Sequence, residues 1–169
     1  IAIRKHDLGR SRESHIHYAE ALQIFRETGH HRFQGHALHH IGQHLRREGR
    51  LVEAEGLNRQ AFTLLSVVGD IPWSLRVRCE LARIALRRQQ PKRAFTEASK
   101  ALQGASPLAL LATAAEAARL GGIASEALGD LATARVQHQQ ARDAAERGDI
   151  GPHLAMAELH LCRLDRLDG

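Results

Sequence analysis

The feature that most limits how this chain can fold is a recurrence of small residues every 40 positions. Ala21, Ala61, Ala101 and Ala141 keep that spacing. Ser14, Ala54, Ala94 and Ala134 form a second register, and Gly42, Ala82 and Gly122 a third. Gly9, Gly49 and Gly129 form a fourth, with Gln89 in the remaining slot. Gly29 and Gly69 mark one further joint, with Gly148 one residue out of phase. Several registers sharing one period identify a repeat array. Each unit of such an array cannot bury its apolar face alone and must stack on its neighbours.

The units read as helix pairs. From Phe33 to Glu48 the small or apolar residues Ala37, Leu38, Ile41, Gly42 and Leu45 follow a 3.6-residue spacing, and Gly49 stops the helix. From Leu51 to Val68 the residues Ala54, Leu57, Ala61, Leu64 and Leu65 share one face, and Gly69 with Asp70 ends it. The spacing predicts helices near 10–28, 33–48, 51–68, 72–88, 91–103, 107–128, 131–147 and 152–167. Pro72, Pro91, Pro107 and Pro152 all fall at these predicted starts, where the missing N–H costs nothing. Gly121 and Gly122 lie inside 107–128 and predict a kink or break there. Residues 1–8 read as the tail of a further helix. A chain opening on Ile1 reads as a piece of a longer protein, one array of about four repeats over 1–169.

Composition supports this reading. Ala (27) and Leu (23), both strong helix formers, supply about 30% of the 169 residues. No run alternates β-branched and aromatic residues as a sandwich or barrel strand would. No apolar stretch reaches the roughly 18 uncharged residues of a membrane span. Cys79 and Cys162 form no CxxC and no cystine framework, so the expectation is reduced thiols in the cytoplasm. The net charge of +5 permits acidic partners. Basic stretches such as Arg83 to Arg93 lack interleaved aromatics, which argues against a nucleic-acid surface.

The segment Ile41-Gly42 … Gly49-Arg50-Leu51-Val52-Glu53-Ala54 … Ala61-Phe62 resembles a tetratricopeptide repeat. Gly129-Asp130-Leu131-Ala132-Thr133-Ala134 … Ala141 resembles it again. The 40-residue length, with the joint Phe25-Arg26-Glu27-Thr28-Gly29-His30, is similar to the tetratricopeptide arrays of large bacterial signal-transduction ATPases and transcriptional regulators. The resemblance implies an all-α fold: an α-solenoid of stacked antiparallel helix pairs in a right-handed superhelix, with a groove lined by the first helix of each pair. Carried onto this chain, it puts His36, His39, Gln43 and Arg46 in the groove, then Arg76, Cys79, Arg83 and Arg87, then Glu116, Arg119 and Ile123, then Leu159, Arg163 and Arg166. Nothing in the chain matches a P-loop or a recognition helix, so ATPase and DNA-binding activity do not carry over.

Arg83, Arg119 and Arg163 fall at related heights on successive first helices. Guanidinium groups at repeat spacing can fork onto the carboxylates of an extended peptide. The other reading pairs them with local acids such as Glu80 and Glu126. His36, His40 and His44, spaced i, i+4, i+8, share a helix face, but no acidic or Cys ligand joins them at motif spacing, so no metal is expected. Trp73 and Tyr18 read as packing residues. There is no nucleophile elbow, phosphate loop or paired-carboxylate constellation, and no cofactor is expected. The expected function is therefore a non-catalytic protein- or peptide-interaction module, the sensor or scaffold segment of a bacterial regulator. Its partner would be a protein or peptide, an acidic one suiting the arginines, or other domains of the same protein. End-to-end or groove packing into oligomers stays open. The alternative is a receptor domain that closes its groove on a small ligand or peptide pheromone.

Overall fold

The computed structural model describes residues 17–168. They form eight helices: α1 (17–27), α2 (His31–Arg47), α3 (Leu51–Val67), α4 (Ile71–Arg87), α5 (Pro91–Ala105), α6 (Leu111–Ala127), α7 (Leu131–Arg147) and α8 (Gly151–Asp168). The fold is all-α, with no strand among the described residues and, within each of its compact units, with neighbouring helices packed on one another as in an α-solenoid. No described helix is long and apolar enough to cross a membrane. The tail expected over 1–8, the helix start expected at 10, Gly9 and Ser14 all lie outside the described residues.

One joint closes each helix from α1 to α7. Gly29, Gly49, Gly69, Gln89, Ala109, Gly129 and Asp149 all have positive φ, from 50° to 85°, and recur at half the spacing of the sequence repeat. The next amide (His30, Arg50, Asp70, Gln90, Leu110, Asp130, Ile150) donates to the carbonyl five residues back, at 2.8–3.1 Å. A left-handed residue followed by this bond is the Schellman closure of a helix C-terminus. The backbone thus repeats with every helix, while side chains alternate between first and second helices and so repeat only with every pair. Gly148 does not mark a shifted joint: Asp149 takes the left-handed position, and Gly148 sits one residue earlier with φ −91°. A Cβ on Gly148 would meet Ile150 and Leu111 at 2.8–3.1 Å, so that glycine serves a close approach.

Two expectations are corrected. The helix expected over 107–128 begins at Leu111, because residues 106–109 form the turn of the joint. Pro107 therefore lies in the turn; lacking an N–H, it cannot continue the α5 hydrogen-bond ladder. Gly121 and Gly122 do not interrupt α6, which runs unbroken over Leu111–Ala127.

Those glycines answer a packing demand instead. A Cβ on Gly122 would lie 2.4–2.7 Å from three atoms of the His138 ring, and one on Gly121 would lie 2.6 Å from Gln137 Oε1. In the two preceding repeats the same crossing is built by other pairs. Gly42 faces Asn58, whose Nδ2 would be 2.2 Å from an added Cβ. Ala82 and Ala98 are both buried in one cluster with Cys79, Ala101, Ala117 and Leu120. A large polar residue on the second helix thus comes with glycine on the first, and alanine comes with alanine. The registers Ala54/Ala94/Ala134 and Ala61/Ala101/Ala141 are fully or almost fully buried.

The chain divides into two compact units, 1–77 and 78–169. Within the first, α2 packs on α3. Within the second, α5 packs on α6, α6 on α7, and α7 on α8, with a smaller contact between α6 and α8.

Candidate functional site

In the first unit the expected groove residues gather around Trp73. The His36 ring stacks on Trp73 at 4.1 Å between centroids, and its Nε2 lies 3.1 Å from Asp70 Oδ2. Arg32 reaches the same carboxylate at 3.4 Å. The Arg76 guanidinium lies over the indole at 5.1 Å, within cation–π range. His39 is buried rather than open to a ligand. Asn58 gives its amide N–H to the Ala54 carbonyl, so its Oδ1 accepts from His39 Nδ1 at 2.9 Å, and His39 Nε2 accepts from Gln43 at 3.1 Å. Both imidazole nitrogens are satisfied and the tautomer is fixed. His40 stacks on Tyr18 at 4.6 Å. Burial pushes the His40 imidazole below its usual range, opposed by the Gln43 hydrogen bond and helped by His36 and Arg47. His36 thus stacks on Trp73 and meets Asp70, whereas His40 stacks on Tyr18 and meets Trp73 only edge-on, at 5.6 Å.

In the second unit the arginines are bound to the chain's own carboxylates. Arg83 donates to Glu116 Oε1 from Nε (3.0 Å) and Nη2 (2.6 Å), and to Glu80 Oε2 from Nη1 (2.8 Å). Arg119 closes on Glu116 at 3.0 and 2.6 Å. His153 Nε2 lies 3.7 Å from the same carboxylate. Arg163 pairs with Glu126 Oε2. The side chain of Glu80 is fully buried and that of Glu116 only 11% exposed. Burial pushes the Glu116 carboxyl up, but the Arg119 hydrogen bonds and the charges of Arg83 and Arg119 together hold it below the usual carboxylate range. Cys79 is buried beside this cluster, and burial with the Glu116 charge pushes its thiol up to about 12, so it is an inert packing residue.

A third cluster escaped the sequence reading. Glu126 on α6, His138 on α7 and His160 on α8 bring three ligand-type atoms within 4.8 Å of one another, the group of this kind found among the described residues. His138 Nε2 lies 2.7 Å from Glu126 Oε1, and His160 Nδ1 lies 3.5 Å from it. The two imidazoles stack at 4.4 Å and 4°. Burial, aided by the Arg119 charge, lowers His138 to about 4. Burial, then His138 and Arg119, lowers His160 to about 4 as well. The cluster lies beside an open pocket of about 330 Å³ on α8, lined by Met156, Leu159, His160, Cys162, Arg163 and Arg166.

The structure therefore joins Arg83 and Arg119 through Glu116, sets Arg163 on a separate carboxylate, and places both His36 and Arg76 against Trp73. His39 and Gln43 act as internal hydrogen-bonding residues. The sequence signal for His138 was its register: it stands two repeats after Asn58, opposite Gly122 as Asn58 stands opposite Gly42.

Helix pairs closed by one recurring turn place the chain in the α-solenoid class. No family model matches the chain, and no curated protein matches it. Among solved structures it is similar to BtubC (BKLC) from P. vanneervenii, at a TM-score of 0.75 and 18% identity, over 97% of this chain and 75% of that one. At that identity the likeness bears on the fold alone.

Proposed function

We propose that this chain is a non-catalytic protein- or peptide-binding module of tetratricopeptide type, the sensor or scaffold segment of a bacterial transcriptional regulator. The observation that carries the reading is the polar row along the first helices of the second unit. Arg83 of α4 and Arg119 of α6 share Glu116, and His153 and Arg163 of α8 reach back to Glu116 and Glu126 on α6. These side chains are locked to one another in pairs, with no nucleophile and base among them. Arg83 and Arg163 remain 32% and 56% exposed. A guanidinium has five N–H donors, and Arg83 uses three of them on carboxylates. Donors remain for the backbone carbonyls of an extended segment, while the paired carboxylates accept from its amides. The regulator setting rests on the resemblance of the 40-residue repeat and its joint.

The test is a random-peptide display library panned against the whole chain. Enriched peptides should lose at least about tenfold in affinity, roughly the 1.4 kcal/mol of one good contact, on Arg76→Ala or Arg163→Ala. Arg59→Ala and Arg142→Ala serve as charge-matched controls. No enrichment, or equal loss from both pairs, refutes the reading.

A further inference from the structure

We propose that Glu126, His138 and His160 form a binding site for a divalent transition-metal ion of the zinc type, which would fasten α6, α7 and α8 together. The argument begins with a comparison inside the chain. Three second helices place Asn58, Ala98 and His138 at equivalent positions. Ala98 shows that the crossing needs no polar group there. Asn58 has a complete structural use, since its amide N–H caps the Ala54 carbonyl and its oxygen accepts from His39. His138 is satisfied at only one nitrogen, its Nε2 lying 2.7 Å from Glu126 Oε1. It is fully buried, yet its Nδ1 has no hydrogen-bond partner. Its ring fits only because residue 122 is glycine. An imidazole with one orphaned nitrogen is a poor core filler compared with alanine, so the Gly122/His138 pair is kept at a cost in packing and hydrogen bonding.

What the pair gains is a donor set: it brings His138 Nε2 together with Glu126 and His160. Two imidazoles and a carboxylate suit zinc-type ions, and three protein ligands leave a fourth position for water. Metal–ligand bonds of about 2.0–2.1 Å in a tetrahedron separate ligand atoms by roughly 3.3 Å. The distances from Glu126 Oε1 to His138 Nε2 and His160 Nδ1, 2.7 and 3.5 Å, bracket that value, and the two rings, stacked at 4°, must tilt for both lone pairs to meet one ion. Oε1 is the shared oxygen, while Arg163 holds Oε2. A carboxylate bound through one oxygen and steadied through the other is the usual outer-shell arrangement of a metal ligand. The three ligands come from three consecutive helices, so the ion would oppose their separation on unfolding.

The competing site is the histidine-rich helix α2, so the test removes it. Zinc chloride is titrated by calorimetry into the whole chain and into the His36→Ala/His40→Ala variant, with thermal melting alongside. We expect one ion per chain in both, with a raised Tm. In His160→Ala, whose imidazole is at the edge of the cluster, affinity should fall by roughly 100-fold or more, beyond the 10–100-fold lost with outer-shell partners. His138→Asn copies the Gly42/Asn58 crossing, so it should fold and should lose the ion. Cobalt(II) should give the visible bands of a four-coordinate ion in the wild type and lose them in both variants. Zinc binding that vanishes with His36 and His40 and survives His160→Ala overturns the proposal. So does wild-type binding no tighter than that of His160→Ala.

Discussion

Replacing Arg83 by methionine should destabilise the chain at neutral pH, and the extent follows from what the guanidinium touches. Methionine keeps most of the stem and removes the charge. It leaves Glu80, fully buried, and Glu116, 11% exposed, without the cation that bridges them. Breaking a buried pair from one side costs about 3–5 kcal/mol. Here Glu116 retains Arg119, and Arg83 is 32% exposed, so solvent screens part of the loss. About 2–3 kcal/mol remains. For a chain of this length each kcal/mol lowers Tm by about 2–4 °C, which gives a fall of roughly 5–10 °C by calorimetry. A carboxyl held below its unfolded value contributes stability that is present at neutral pH and is lost as pH falls through the folded value. Glu116 is such a group. The gap between wild type and Arg83→Met should therefore be widest near pH 7 and close below the ordinary carboxylate range. A variant melting within about 1 °C of wild type at pH 7 would refute the reasoning. It would return Arg83 to the solvated groove cation that the sequence alone suggests.

Gly42→Leu should cost on the order of 1–3 kcal/mol or more, because even a Cβ would lie 2.2 Å from Asn58 Nδ2; unchanged chemical denaturation would show that the crossing is elsewhere. Ala61→Arg should cost more, since that residue is fully buried and the new charge has no partner. Gln89→Gly and Ala109→Gly should each stabilise by about 1 kcal/mol, because both residues hold positive φ that costs a non-glycine residue about that much; a lower Tm in either would refute the joint geometry. His138 and His160, lowered to about 4, are neutral in the fold and gain protons on unfolding. The stability they confer is complete above pH 6.5 and declines toward pH 4, by about 2–4 kcal/mol at pH 5 for the pair. Replacing both by Asn should flatten that part of the stability profile, and an unchanged slope would refute the assignment.

The helix count, the joints and the buried alanine registers were legible because each follows from residues close in sequence. A 3.6-residue spacing sets a face, and a glycine sets an end. Gln89 and Ala109 show the limit: the array's geometry holds them left-handed against their own preference, so a glycine search finds neither joint, and missing the second misplaces the start of α6. Gly121 and Gly122 show another. The same two letters mean a kink where nothing faces them and a close contact where a large residue does, and the residues that decide it, Gln137 and His138, lie on another helix.

The arginines were legible as a row but not as free or bound. Glu80 lies three residues before Arg83 and Glu116 three before Arg119, so each i, i+3 pair is visible in sequence. The contact that changes the meaning of the row is Arg83 to Glu116, 33 residues apart. The repeat equivalent of Arg83 is Ile123, and Glu116 lies seven residues before it, about 10 Å along the helix axis. Only two long side chains leaning toward each other span that offset, and helical periodicity carries no record of how they lean. The consequence reaches function. A carboxylate on the same chain competes at an effective concentration of about millimolar or more, so an acidic peptide must displace Glu116 or Glu126 before it gains a guanidinium. An acidic side chain is therefore a weak basis for specificity in the second unit. In the first unit the Arg76 guanidinium rests on the Trp73 face, a contact that leaves its N–H edge available to an incoming carboxylate. An acidic partner should depend on Arg76 more than on Arg83, the reverse of what equal spacing of the arginines suggests.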